Sequence, residues 1–301
     1  MRIATSQITD NAVSAMQDLQ AQLAKTQQQL STGKRVLTPA DDPSAAASIL
    51  SLNQSVSLTQ QYLRNSKVAQ TRLSLEDTSL SGASDILQRV HELAVQANNG
   101  TMSAADRRAI AAEVSQLAQQ LQGLGNTTDA SGDYLFAGFK STTQPFTDNG
   151  AGSIVYNGDQ GTRSLQIGPQ RQVEVGDSGA SVFMTIPASA GGVQSVFDTL
   201  NKFVSDLNAN TPSPSAITDI DAAMNNVLTV RAKVGARLNA IDSQNSINNS
   251  YVTETQSALS KVQDLDYASA ISSFNQQNLA LQAAQNSYTK VQGLSLFNYI
   301  R

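Results

Sequence analysis

The stretch 217-ITDIDAAMNNVLTVRAKVGARLNAIDSQNSINNSYVTETQSALSKV-262 decides the fold. Ile220, Met224, Val227, Arg231, Val234, Leu238, Ile241, Asn245, Asn248, Val252, Thr255, Leu259 and Val262 recur at alternating spacings of four and three. That spacing is the seam of a coiled coil, so it predicts one long helix lying against other helices. Arg231, Asn245 and Asn248 interrupt an otherwise apolar seam. Polar seam residues usually fix register at some cost in stability, and contacts made on assembly are the second reading.

Working outward, the same spacing returns on both sides. After "DLDY" (264–267) a final seam runs through Tyr267, Ala270, Phe274, Gln277, Leu281, Ala284, Tyr288 and Val291. Near the start, Ala12, Met16, Leu19, Leu23, Thr26 and Leu30 form another, with Gly33 placed to stop it. In "KRVLTPADDPSAAAS" (34–48) Asp42 reads as a helix cap and Pro43 as a first-turn proline, a stronger reading than a catalytic carboxylate pair with Asp41. A long helix follows, with Ile49, Leu52, Val56, Thr59 and Leu63 on one seam, continued by Leu80, Ala83, Leu87, Val90, Ala94 and Ala97. Ser103 and Asp106 then form a capping box for a helix through Ile110, Val114, Leu117, Leu121 and Leu124. "SVFDTLNKFVSDL" (195–207) is a shorter amphipathic helix.

Between Tyr134 and Pro187 the pattern changes. "DYLFAG", "SIVYNGDQGTRSLQIG", "QVEV" and "SVFMTIP" are short, β-branched and punctuated by glycine, and Asn157-Gly158 gives a hairpin signal. The expected fold is therefore mainly α with a small β insert: a long helical rod built from the N- and C-terminal halves, with a β-rich domain in the middle. The expected boundaries are a terminal coiled-coil assembly domain of residues 1–42 plus 264–301, a helical-bundle body of 43–133 plus 188–263, and the insert at 134–187.

Composition narrows the function. The chain has 301 residues, no cysteine, one histidine and a net charge of −4 with a pI near 5.0. Thiolate chemistry is excluded, and a nucleic-acid partner lacks its electrostatic footprint. His91, in "ILQRVHELAVQ", has no second histidine or cysteine to complete a metal site. The glycines of "NGAGSIVYNGDQG" lack the GK[ST] of a phosphate loop, and no nucleophile–base constellation occurs in 134–187. No catalytic, metal or cofactor residue is expected, and no enzyme. The terminal helices carry Gln, Asn and Ser where a membrane-surface helix wants Lys and Arg, and no apolar run is long enough to span a bilayer, so no membrane insertion is expected. "MRIATSQITDNAV" is no secretory signal, which taken alone indicates the cytosol.

The end of the chain, "QNSYTKVQGLSLFNYIR" (285–301), has an apolar surface that a two-helix pair does not hide. This gives the candidate interface: Met16, Leu19, Leu23, Leu30, Tyr267, Phe274, Leu281, Tyr288, Val291, Leu294, Leu296, Phe297, Tyr299 and Ile300. These positions are expected to pair with each other and with neighbouring subunits.

Several stretches in this order resemble the flagellin superfamily. They are "LSTGKRVLTPADDPSAAASI" (30–49), "VRAKVGARLNAI" (230–241) and "VQDLDYASAISSFNQQNLALQAAQNSY" (262–288). "MRIATSQ", "GDYLFAGFKSTTQPF" (132–146) and "LSLFNYIR" (294–301) are similar to its hook-associated protein 3 class more than to filament flagellin, which stands as the alternative. The resemblance implies a structural protein of the hook–filament junction, whose terminal segments are disordered in the monomer and order on assembly. It implies hook-associated protein 1 on the hook side, flagellin on the filament side and copies of itself in a ring layer as partners. It also implies an export chaperone that masks the C-terminal region, for which Phe274, Leu281, Tyr288, Leu296 and Phe297 are candidates. Export through the flagellar type III channel, without a cleaved signal, then replaces the cytosol with an extracellular place on the flagellum.

Overall fold

The computed structural model describes residues 2–150 and 153–293. Helix α1 spans Arg2–Thr32, α2 Pro43–Ala97 and α3 Ala104–Gly125. Short strands follow: β1 Phe146–Asp148, β2 Ile154–Tyr156, β3 Ser164–Gly168, β4 Arg171–Glu174, β5 Ile186–Pro187 and β6 Val193–Gln194. Helices α4 (Val196–Asn208), α5 (Pro214–Gln263) and α6 (Tyr267–Gly293) complete the order. The fold is mainly α with a small central set of antiparallel strands. By contacts the chain divides into two compact units, residues 1–58 with 251–301, and residues 59–250.

The unit of residues 59–250 holds the larger core. Seam positions Leu80, Ala83, Leu87, Val90 and Ala94 of α2 are fully buried, as are Val114 and Leu121 of α3, Leu200 and Leu207 of α4, and Ile220, Val227, Val234 and Ile241 of α5. The spacing read from sequence is thus the buried face of each helix. The α2 seam does not lapse between Leu63 and Leu80: Ser66, Ala69, Leu73 and Glu76 fill it, all buried. Two of these are polar, so hydrophobicity alone missed them. Capping closed the helices as the residue types dictate. Ser103 Oγ accepts the Asp106 N–H while Asp106 accepts the Ser103 N–H, and Ser195 Oγ accepts the Asp198 N–H at the start of α4.

Among the described residues the strands form three two-stranded ribbons, β1–β2, β3–β4 and β5–β6, the last pairing the end of the insert with Val193–Gln194 beyond it. Such a ribbon is at best marginal by itself, so each borrows a core. Phe146 of β1 is fully buried; its ring lies 5.5 Å from Phe183 edge-on, 5.3 Å from Tyr156 and 5.3 Å from Phe197 of α4. Its backbone is clamped by Asn126 just past α3, whose Nδ2 donates to Phe146 O at 2.8 Å and whose Oδ1 accepts the Phe146 N–H at 2.9 Å. Gly125 makes room: a Cβ there would sit 2.8 Å from the Phe146 ring.

Three local expectations fail here. Residues 133–138, "DYLFAG", form an irregular loop with a single bridge, Thr128 to Tyr134, that buries Leu135, Phe136 and Ala137. Ser181 to Met184 lie in a π-helical turn (Ala180–Met184), because Val182 and Phe183 both point into the core and an alternating strand would expose one of them. Asn157-Gly158 makes no hairpin turn. β2 pairs backward with β1, β3 pairs forward with β4 across Pro169-Gln170, and Gly158 fits under the Tyr156 hydroxyl and Ala137 O.

The polar members of the α5 seam have specific work. Asn248 is buried; it donates to Ile167 O at 2.9 Å and accepts from Gln244 at 2.9 Å, pinning β3 to α5. Arg231 pairs with Asp77 of α2 at 2.9 Å. Both fit the register reading; Asn245 does not, its buried Oδ1 having no hydrogen-bond partner.

Candidate assembly site

The unit of residues 1–58 and 251–301 is built around the pairing of α1 with α6. Ala12, Met16, Leu19, Leu23 and Leu30 of α1 are half-buried and Thr26 is buried. On α6, Ala270 is buried, and Phe274, Gln277, Leu281, Ala284 and Tyr288 are half-buried. The two seams found in the sequence therefore do face each other. Thr26 Oγ1 lies 3.0 Å from both Gln22 O and Gln277 Oε1, a single hydroxyl proton serving either; this polar contact sets the stagger of the pair. Burial is shallow, because two helices leave most of each seam residue's flank uncovered.

Two predicted interface residues stand apart from the seam. Tyr267 is 51% exposed and Val291 53% exposed. Tyr267 lies over the α1–α2 loop, where a Cβ on Gly33 would come within 2.8 Å of its hydroxyl; Gly33 has φ +69°, which an L side chain resists. Leu294, Leu296, Phe297, Tyr299 and Ile300 lie outside the described residues. Of the candidate chaperone contacts, Phe274, Leu281 and Tyr288 sit in the α1–α6 seam, while Leu296 and Phe297 again fall outside.

The sequence reading missed what ties this pair at its root. The Arg35 N–H donates to Gln263 O at 2.8 Å and the Leu265 N–H to Gly33 O at 2.9 Å, a small antiparallel bridge between the α1–α2 loop and the α5–α6 turn. Arg35 reinforces it, donating to Val262 O at 3.0 Å and pairing with Asp42 at 3.2 Å. Asp42 also caps α2, its Oδ1 accepting the Ala45 N–H at 3.0 Å. Asp41 accepts the Leu37 and Thr38 N–H groups and pairs with Lys25 of α1 at 2.7 Å. The Lys25 contact first, then the Thr38 N–H, hold the Asp41 carboxyl well below the usual range; the Ala45 N–H and Arg35 lower Asp42. Contacts more than two hundred residues apart leave no periodic trace. Only the Asp-Asp-Pro cap was visible.

Further large apolar side chains are exposed on this unit: Leu50 and Leu58 on α2, Tyr251 on α5, and Ile271 and Leu279 on α6. None belongs to a seam, so periodicity passed over them. His91 of α2, in the other unit, has its Nδ1 2.7 Å from Asp221 Oδ1 of α5. Among the described residues no group of His, Asp or Glu is placed to hold a metal ion, and no helix is long and apolar enough to cross a membrane.

The family model for the bacterial flagellin N-terminal helical region matches residues 3–141, and that for the C-terminal helical region matches residues 217–300. The chain is 33% identical over 316 residues to flagellar hook-associated protein 3 of Escherichia coli (strain K12), covering 99% of each chain. It is 27% identical to a flagellin of Bacillus subtilis (strain 168), covering 87% of this chain and 86% of that one. Among solved structures, FlgL of Xanthomonas campestris superimposes with a TM-score of 0.62 at 25% identity, covering 69% of this chain and 99% of that one.

Proposed function

The chain belongs to the family of flagellar hook-associated protein 3, with flagellin helical regions at both ends, and from that premise we propose that it forms the junction layer between hook and filament. It is a structural protein of the bacterial flagellum. The observation that carries the junction reading is the α1–α6 pair: terminal helices joined through a shallow seam, with Thr26 and Gln277 setting their stagger. A pair of this kind is marginal by itself, since ordering the backbone costs about 1–2 kcal/mol per residue. It is completed when neighbouring copies bury its flanks.

In this reading residues 1–42 with 264–301 are the assembly domain, 43–133 with 188–263 the body, and 134–187 the insert. Met16, Leu19, Leu23, Leu30, Phe274, Leu281 and Tyr288 supply the paired seam, and Tyr267, Val291 and the apolar residues from Leu294 to Ile300 supply surface for other subunits. Hook-associated protein 1 lies on one side and flagellin on the other, in a ring of identical subunits that propagates head to tail. Before that, the chain leaves through the flagellar type III channel to the cell exterior, its C-terminal helix held by an export chaperone. No turnover is assigned to it.

The alternative is the filament subunit, supported by the 27% match to a flagellin. Electron microscopy of cells lacking the gene separates the two. A junction protein leaves hooks bare and flagellin in the medium. Normal filaments would overturn the junction reading, and cells that still secrete no flagellin would favour the alternative. Removing residues 272–301 leaves, on this proposal, a folded soluble chain that no longer supports filament growth.

A further inference from the structure

The buried acid of α2 belongs to the unit of residues 59–250. Glu76 occupies a seam position with 1% of its surface exposed. Its Oε1 accepts the Asp177 N–H at 3.0 Å, from the strap Val175–Ser178 that leads from β4 into the π-helical turn. Its Oε2 has no hydrogen-bond partner. The strap lies flat on α2 at Gly176, where a Cβ would come 3.7 Å from Arg72 Nε and 4.0 Å from Glu76 Oε2.

A carboxylate buried so deeply needs a cation of its own. Arg237 of α5 faces it, but that guanidinium forks onto both oxygens of Asp177, at 2.6 Å and 3.2 Å, and donates to Glu174 as well. Arg72, one turn back on α2, donates to Asp129 at 3.0 Å and to Tyr134 O at 3.2 Å. Next along α2, Asp77 is paired with Arg231. Each cation near Glu76 is thus matched to another acceptor, and the Asp177 carboxylate stands on the strap side. An ionised Glu76 would be a buried charge that Arg237 and Arg72 compensate only in part, beside a like charge; a neutral one has no charge to desolvate.

We propose that Glu76 is a proton-operated latch: neutral, it seats the Gly176–Asp177 strap on α2, and ionised, it repels Asp177 and releases the strap. Burial first, and the Asp177 carboxylate second, push its pKa up to about 8 from the ordinary 4.5. The folded chain therefore keeps a proton that the unfolded chain gives up across that window. Stability from this group is fully present below the unfolded value and falls as pH rises to the folded one.

Urea unfolding of the full chain, followed by circular dichroism from about pH 5 to about pH 9, tests the latch. The folding equilibrium constant falls by up to about tenfold per pH unit within the window, the weight of one proton. Glu76→Gln removes that slope, and Asp177→Asn, which removes the repulsion and frees Arg237, moves it to lower pH. Equal slopes in wild type and Glu76→Gln overturn the proposal. Should Glu76→Gln not fold, the carbon-13 carboxyl titration of the glutamate-labelled native chain decides alone. One resonance still titrating near pH 8 is expected, and none titrating above about pH 6 overturns the latch.

Discussion

Truncating Phe146 to alanine measures whether the β insert is part of the body's core. The ring is fully buried and touches Phe183, Tyr156 and Phe197, three side chains from three different segments. Phe146→Ala removes a ring of roughly 100 Å³; at about 24 cal/mol per Å³ an uncollapsed cavity contributes about 2 kcal/mol, and the lost transfer energy about as much again. The sum, about 4 kcal/mol, lies within the usual range for Phe→Ala in a core. For a unit of this size that lowers the melting temperature by roughly 8–16 °C. The informative signal is helical circular dichroism, because Phe197 belongs to α4 and the insert has almost no helix. If insert and body share one core, the helical transition itself moves down. Val155→Ala, at a side chain 42% exposed on β2, is the control and should change stability by less than about 0.5 kcal/mol. A helical midpoint unchanged in Phe146→Ala, with only tyrosine fluorescence affected, would falsify the shared core.

Other consequences are as direct. Gly138 has φ +70°, and a Cβ there would meet Asp159 Oδ1 at 2.2 Å and its backbone O at 2.7 Å, so Gly138→Ala should cost about 2 kcal/mol or more in urea unfolding. At Gly161 the atoms nearest an added Cβ belong to the exposed Phe139 ring, which can swing away, so Gly161→Ala should cost under about 1 kcal/mol. Asn248→Ala leaves Ile167 O and the Gln244 amide unpaired in a buried place, a loss of about 1–3 kcal/mol with faster amide exchange in β3 and β4. Asp41 and Asp42 have lowered pKa values in the folded chain, so their contribution is present above about pH 4 and is lost as pH falls below it. Amide protection factors at Leu37, Thr38 and Ala45 should fall in acid, and Asp41→Asn should lower those of Leu37 and Thr38 already at neutral pH; protection independent of both would reject the role given to these carboxylates.

How far the sequence could be read depended on the range of the forces involved. Helix seams and caps are set by neighbours three or four residues away, so Ile220 to Val262, Ser103 with Asp106, and Asp42 with Pro43 announced themselves. The gap left between Leu63 and Leu80 has the opposite origin. Ser66 and Glu76 are both buried, Glu76 beneath the strap, and no local rule puts a glutamate inside. In the insert, short β-branched runs are equally at home in a strand, a π-turn or a buried loop. The Phe136–Phe183–Phe146 cluster chooses among them, and its members come from three separated segments. The Arg35–Gln263 and Leu265–Gly33 bonds that root the terminal pair are non-local in the same sense.

The polar interruptions of the seams gain a common meaning from these contacts. A uniform heptad of Leu and Ala can slide by a turn at little cost, and α2 with 55 residues and α5 with 50 offer many near-equivalent registers. Four polar seam residues have mates that exist in one register only: Thr26 meets Gln277, Glu76 meets the Asp177 N–H, Arg231 meets Asp77, and Asn248 meets Ile167 O. Replacing Asn248 by leucine should therefore separate stability from uniqueness. The helices retain their content, while β3 loses its anchor and its amide signals broaden or multiply. A variant that keeps a single sharp set of β3 signals would mean that apolar packing alone selects the register, and the role assigned to these residues would have to be withdrawn.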